Sequence, residues 1–144
     1  MRWKLWMAAG CLGMMVAGAP ATAHHSFAAE FDEHKPITLK GVLTRMEWVN
    51  PHGWLYMDVK GPDGKVENWG IEAGAPNALL RRGLRKTDFQ PGLELVVTGY
   101  LAKNGTHTAN GRTVTFPDGR EFFAGSSSGN APRDGADRGG GGGN

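Results

Sequence analysis

Alternating apolar and polar residues predict a series of short β-strands. In residues 54–59 (WLYMDV), Leu55 and Met57 fall on one face of the strand, and Trp54 and Tyr56 fall on the other. Pro-Asp-Gly sequences at 62–64 and 117–119 are typical of hairpin turns. Further segments rich in β-branched or apolar residues predict strands at 37–49, 66–71, 93–101, 112–116 and 121–123.

One segment, residues 75–84 (APNALLRRGL), has a helical pattern. Pro76 suits a first helical position, and Leu79, Leu80 and Leu84 form a short apolar stripe. Three strands, a helix, two strands and a short terminal strand follow the order of an OB-type fold. The expected fold class is all-β with one helix, a small five-stranded OB-like Greek-key barrel with the helix between strands 3 and 4. The alternative is another small β-barrel or sandwich that carries one helix.

A glycine interrupts the long first strand at Gly41, where we expect a bulge or a sharp bend.

The two ends of the chain differ from this patterned middle. Residues 1–23 combine basic Arg2 and Lys4, a short apolar run and a small-residue Ala-Thr-Ala site, which is typical of a cleavable signal peptide. An N-terminal membrane anchor and a lipidated Cys11 are the alternatives. We therefore expect a signal peptide at 1–23, a docking segment at 24–36, the folded domain at 37–125 and a disordered Gly/Ser-rich tail at 126–144. The mature protein is expected in the periplasm or outside the cell, with no stable membrane insertion.

Cleavage after residue 23 changes the charge and the cysteine count. It shortens the chain from 144 to 121 residues and takes Arg2 and Lys4 from the 16 basic residues, which leaves 14 basic against 14 acidic residues. A neutral domain lacks the electrostatic footprint of a nucleic-acid binder. Because Cys11 is the only cysteine, the mature chain has no thiolate and no disulfide.

Several strings between His24 and Gly125 are distinctive, and they cover nearly all of the foldable chain. They are AHHSFAAEFD, KPITLKG, EWVNPHGWLYMDV, NWGIEAGAPNALLRRG, PGLELVVTGYLAKNG and FPDGREFFAGS. In these strings the chain resembles an uncharacterised family of exported bacterial proteins that is labelled only as a domain of unknown function. The resemblance implies a periplasmic location and a small OB-like barrel, and it supplies no activity or cofactor.

Histidines provide the first candidate chemistry. Cleavage would give His24 a free α-amino group, which chelates a metal together with the imidazole. With His25 and His52 it would form a nitrogen-rich site that suits copper best and zinc or nickel next. Glu30 and Asp32 are candidates for orienting the imidazoles. The leading hypothesis is a periplasmic binding protein that holds copper or another transition metal. The alternative is a flexible, polar leader with His52 capping its turn.

Aromatic residues provide the second candidate. If the outer face of strand 54–59 is exposed, it is a platform on which a flat organic ligand or a protein partner binds, and OB barrels use such faces. The alternative is a second small core beneath the N-terminal segment. The candidate residues of this face are Trp48, Trp54, Tyr56 and Trp69. No nucleophile elbow, phosphate loop or paired-acid motif is found, so the sequence favours a binding protein; a copper enzyme with the same histidine ligands is a third hypothesis.

Overall fold

The computed structural model describes residues 27–126. The expected signal peptide at 1–23, His24, His25 and the tail beyond Ser126 lie outside the described residues. In chain order the elements are α1 (Phe27–Glu30), β1 (Phe31–Glu47), β2 (Trp54–Lys60), β3 (Val66–Glu72), α2 (Pro76–Arg81), a 3-10 turn (Lys86–Asp88), β4 (Glu94–Ala102), β5 (Thr108–Thr115) and β6 (Glu121–Phe123).

The six strands form one sheet in the order β3-β2-β1-β4-β5-β6, with antiparallel neighbours throughout. An additional parallel pairing joins β3 to β5, where Gly70 lies opposite Thr108 and Glu72 opposite Asn110. The strands β1, β2, β3, β5 and β4 therefore close into a ring. The protein is mostly β with two short helices. The short sixth strand agrees with the predicted terminal strand, whereas α1 was not predicted as a helix.

The first strand begins earlier than predicted, at Phe31, because its first part pairs with the end of β4. Its central part lies between β2 and β4, with Gly41 opposite both Val59 and Leu95. A Cβ on Gly41 would lie 2.5 Å from the carbonyl oxygen of Asp58, so a glycine allows the close approach of β2. The expected irregularity falls after Leu43, where the register with β2 shifts, rather than at Gly41 itself.

A single core fills the inside of this ring. The largest side chains with less than 2% exposure are all apolar, and those in the strands lie on the inward-facing side: Leu43, Leu55, Met57, Ile71, Leu79, Leu84, Leu95, Val97 and Val114. Helix α2 contributes Leu79 and ends at Arg81, before Gly83, whose φ is +94°. Leu84 reaches the core from beyond the helix. None of the helices among residues 27–126 is long and apolar enough to cross a membrane.

The N-terminal segment, residues 27–36, packs on the outer side of β4. The ring of Phe27 lies 5.8 Å from that of Phe31 and 5.5 Å from that of Tyr100, and Phe27 and Phe31 are both buried. The amide of Lys103 donates a hydrogen bond to the carbonyl oxygen of Glu30 at 2.8 Å. These contacts place α1 next to the loop between β4 and β5.

Candidate functional site

The outer face of β2 carries two aromatic side chains, Trp54 and Tyr56, which we call the aromatic pair. Their ring centroids lie 6.5 Å apart and their planes are inclined by 26°. Both side chains are half-buried, whereas Leu55 and Met57 on the opposite face have 1% and 0% exposure. The strand is therefore amphipathic with two different surfaces, an aliphatic one inside and an aromatic one outside.

Glycine on the neighbouring strand makes room for these rings. Gly70 lies opposite Tyr56 in the β2–β3 ladder, and a Cβ on Gly70 would contact Tyr56 Cε1 at 3.6 Å and Trp54 Cε3 at 3.9 Å. On the other side, the guanidinium of Arg45 stacks 3.9 Å from the Tyr56 ring centroid and pairs with Glu47 at 3.1 Å. A charged pair thus borders one end of the aromatic surface.

The remaining two aromatic candidates lie elsewhere. Trp69 is opposite Met57 in the β2–β3 ladder, which places it on the core-facing side of β3, where its ring contacts His107 at 5.1 Å. Trp48 follows β1 and packs edge-on against the buried ring of Phe89 at 5.7 Å. The structure therefore brings together Trp54 and Tyr56 but neither Trp48 nor Trp69.

His52 is positioned beside this surface by the segment that leads into β2. Hydrogen bonds from Gly53 to Gly74 and from Ala73 to Gly53 extend the β2–β3 pairing up to it. Its Nδ1 atom is fully buried and lies 3.2 Å from Glu72 Oε1, without the geometry of a hydrogen bond. Because the side chain is 25% exposed, its accessible surface belongs to the other atoms of the ring.

The other candidate metal-site residues are not assembled with His52 in the described chain. His24 and His25 lie outside the described residues. Glu30 is exposed on α1, and Asp32 accepts a hydrogen bond from the amide of His34 at 3.0 Å. Between Phe27 and Ser126 no group of three or more His, Cys, Asp or Glu side chains is arranged to hold a metal ion.

A cavity of about 530 Å³ opens beside Trp54. The N-terminal segment forms one wall with Ala29, Glu30 and Phe31. The end of β4, the following loop and the start of β5 form another wall, and its lining residues are Ala102, Lys103, Asn104 and Thr108. The aromatic surface of β2 therefore continues into a concave site instead of ending on a flat face.

Sequence reasoning missed Lys103, Thr108 and Gly70 as site residues. Thr108 comes next to Gly70 only through the parallel β3–β5 pairing, which joins segments far apart in the chain. Lys103 lies in a polar loop that is typical of solvent-exposed turns. No local pattern in either segment signals the cavity.

The fold and the site define a class: a small, mostly β protein with an outward-facing aromatic pair next to a cavity. The chain belongs to the family of unknown function DUF6152, whose sequence profile matches residues 12–111. No curated protein and no solved structure matches the chain.

Proposed function

We propose that the protein is an exported binding module of OB-like fold that holds a flat organic ligand against Trp54 of the aromatic pair. The ring order β1-β2-β3-β5-β4 supports the OB-like assignment, since that fold is a five-stranded Greek-key barrel. OB-folds bind ligands on the face of strands 2 and 3, between the loops that join strands 1 and 2 and strands 4 and 5. The signal-like segment at 1–23 supports export.

The observation that carries this proposal is the position of Trp54. Its ring belongs to the outer face of β2 and also lines the cavity, so a ligand in the cavity contacts an aromatic side chain. The loops on either side bring His52 and Lys103 to the borders of the same face. Stacking of one flat ring on an aromatic side chain contributes about 1–3 kcal/mol.

Calorimetric titration with a panel of fused-ring aromatic compounds tests the proposal. The protein used in the titration is prepared with His24 as its first residue. The variants Trp54→Ala and Tyr56→Ala are compared with Val66→Ala, a control on β3 with 63% exposure. We expect Trp54→Ala to lower the affinity for the compounds that bind at least tenfold, because the loss of about 1.4 kcal/mol of stacking free energy raises the Kd by a factor of ten. We expect a smaller loss for Tyr56→Ala, which does not line the cavity, and no change for the control. If none of the compounds binds, or if Trp54→Ala binds as the wild type does, the proposal is wrong.

A second candidate is the transition-metal site of His24, His25 and His52, with copper as the preferred ion. The observation that favours it is the carboxylate of Glu72 beside His52 Nδ1, since metal-binding imidazoles usually have a carboxylate next to the ring nitrogen that does not bind the metal. Imidazole ligands suit Cu(II).

Cu(II) titration by calorimetry separates this candidate from ligand stacking. The protein with a free His24 terminus is compared with a version that carries one additional N-terminal residue, and His52→Ala is compared with His34→Ala. His34 is the matched control because its side chain is 87% exposed and pairs only with the neighbouring Glu33 within the described chain. We expect both the extra residue and His52→Ala to weaken Cu(II) binding at least tenfold. Equal affinities in all four proteins would rule out the site.

A further inference from the structure

Lys103 lines the cavity next to Trp54. Its Nζ donates a hydrogen bond to the carbonyl oxygen of Ala28 at 2.6 Å, which holds the end of the side chain against the N-terminal segment. A lysine ammonium has three donors, so this bond leaves two of them for another acceptor. No carboxylate of residues 27–126 forms an ion pair with it.

The other polar groups of the cavity do not provide a second cation. Asn104 Oδ1 accepts hydrogen bonds from the backbone amide and the hydroxyl of Thr106, at 3.1 and 2.7 Å, so its oxygen stabilises the turn. The Oγ1 atoms of Thr106 and Thr108 are hydrogen-bonded to each other at 2.9 Å. Glu30 is the acidic residue of the lining, and it is exposed on α1 as Lys103 is on its loop. Lys103 is thus the one positive side chain among the described lining residues.

The walls of the cavity are otherwise apolar. Trp54 provides aromatic surface, Ala29 and Ala102 provide small aliphatic surface, and the buried Phe31 completes the wall. The volume of about 530 Å³ falls within the range of roughly 300–1,000 Å³ that is usual for small-molecule sites. An apolar cleft with a few polar groups at its edge is typical of a site for one small organic molecule.

Resting on the function proposed above, we infer that the ligand is a flat aromatic molecule with one anionic group, such as an aromatic carboxylate. Its ring lies in the cavity against Trp54, and its anionic group accepts hydrogen bonds from the ammonium of Lys103. Charge-assisted hydrogen bonds are stronger than neutral ones, so the anionic group sets the preference among flat ligands.

Three probes that share a naphthalene ring and carry an anionic, a neutral or a cationic group test this inference by calorimetry: 2-naphthoate, 2-naphthamide and 2-naphthylmethylamine. We expect 2-naphthoate to bind at least fivefold more tightly than the amide and the amine at low salt. The preference should shrink when sodium chloride is raised to about 0.5 M, because salt screens exposed charges. Lys103→Gln should abolish the preference, so that 2-naphthoate and 2-naphthamide bind the variant with equal affinity.

Two variants make the result specific. Lys103→Arg keeps the charge and should retain the preference. Lys65→Gln removes an exposed lysine from the β2–β3 hairpin, where its side chain is 78% exposed, and should also retain it. Circular dichroism checks that Lys103→Gln is folded.

Each remaining outcome has one meaning. If the three probes bind with equal affinity, or if the amine binds most tightly, the inferred role of Lys103 is wrong and the proposed stacking function still holds. If Lys103→Gln keeps the preference for 2-naphthoate, another group recognises the anion and the inference is also wrong. If no probe binds the wild-type protein, both the inference and the proposed function fall.

Discussion

Gly70 lies directly opposite Tyr56 in the β2–β3 ladder, and it is close to the rings of both Tyr56 and Trp54. The absence of a side chain at this position lets the two rings lie over the neighbouring strand. A Cβ there would contact Tyr56 Cε1 at 3.6 Å, which is an ordinary van der Waals distance, so there is space for one methyl group and little more. Residue 70 thus controls how close the aromatic pair lies to the sheet.

Substitutions at Gly70 should therefore separate by size. Gly70→Ala fits and should retain the fold and the affinity for a flat probe such as 2-naphthoate. Gly70→Leu should push the rings away from the sheet and lower the affinity for the probe at least tenfold. Tryptophan fluorescence should report a changed environment of Trp54. The control is Val66→Leu, at an exposed position of the same strand. Equal probe affinity in Gly70→Leu and in the wild type would contradict the arrangement.

Gly41 provides a contrast in the same sheet. A Cβ at this position would lie 2.5 Å from the carbonyl oxygen of Asp58 and 2.9 Å from a methyl carbon of Val59, so β2 must move away. We expect Gly41→Ala to lower the free energy of unfolding by about 1–3 kcal/mol, the usual cost of overpacking. Removing a glycine also restricts the unfolded chain and stabilises by about 0.4–1 kcal/mol where the new side chain fits. Because Gly70→Ala fits, it should be neutral or slightly stabilising.

Urea denaturation of the two alanine variants and the wild type measures this difference. The unfolding midpoint should fall for Gly41→Ala and stay unchanged or rise for Gly70→Ala. Similar midpoints for the two variants would mean that the approach of β2 to Gly41 is less close than the structure has it.

The sequence predicted the parts of this fold that depend on local alternation. The phase of residues 54–59 put Leu55 and Met57 on one face and Trp54 and Tyr56 on the other. Burial confirms this division, since the first two are fully buried and the other two are half-buried. The short last strand was predicted with its observed bounds, Glu121–Phe123. In both cases the pattern within one strand is sufficient, because side chains alternate between the two faces.

Features that depend on pairing between strands could not be predicted in this way. Trp69 lies on the core side because of its register with Met57, and register is set by the whole hairpin rather than by residues near Trp69. The first strand begins at Phe31, ahead of the predicted residue 37, because its early part pairs with the end of β4 around Ala102. The polar residues of 32–35 gave no strand pattern.

In the candidate site too, residues with a local sequence pattern could be predicted and the cavity formed by long-range contacts could not. Trp54, Tyr56 and His52 were named from local features, an alternating strand and a turn. The cavity depends on the N-terminal segment packing beside the β4–β5 loop, where Lys103 bonds to the backbone of Glu30 and Ala28. A contact between segments about 75 residues apart cannot be predicted from the residue pattern within either segment.

The turn between β5 and β6 carries a pH-sensitive contact. The pKa of Asp118 is lowered, first by the hydrogen bond from the backbone amide of Arg120 and then by its guanidinium, whose Nε lies 2.7 Å from Asp118 Oδ2. A carboxylate whose pKa is lowered on folding stabilises the folded state above its ordinary pKa, and this contribution is lost as the pH falls through the lowered value.

We expect Arg120→Gln to raise the pKa of Asp118 part of the way towards its ordinary value, because the backbone hydrogen bond remains. Carboxyl-carbon NMR titration of the wild type and the variant measures the change. Arg81→Gln, on the exposed end of α2, is the control and should leave the Asp118 titration unchanged. An unchanged pKa in Arg120→Gln would assign the whole shift to the backbone amide.

The attachment of the N-terminal segment should depend on Phe27, which is 6% exposed and contacts Phe31 and Tyr100. Phe27→Ala removes most of the apolar surface by which α1 packs on β4. The segment should open locally, because it makes few other contacts and local openings cost less than global unfolding. The amide of Lys103, which is bonded to the carbonyl oxygen of Glu30, should then exchange with solvent at least tenfold faster.

Native-state hydrogen exchange separates this local opening from a general loss of stability. The amide of Leu43, which donates to the carbonyl oxygen of Leu93 in the core region, serves as the internal reference and should change much less than that of Lys103. Because Ala29 and Glu30 line the cavity, the same variant should also bind 2-naphthoate more weakly. If both amides accelerate equally, Phe27 stabilises the whole domain; if neither does, the segment is held by its backbone bonds to Lys103 rather than by its aromatic contacts.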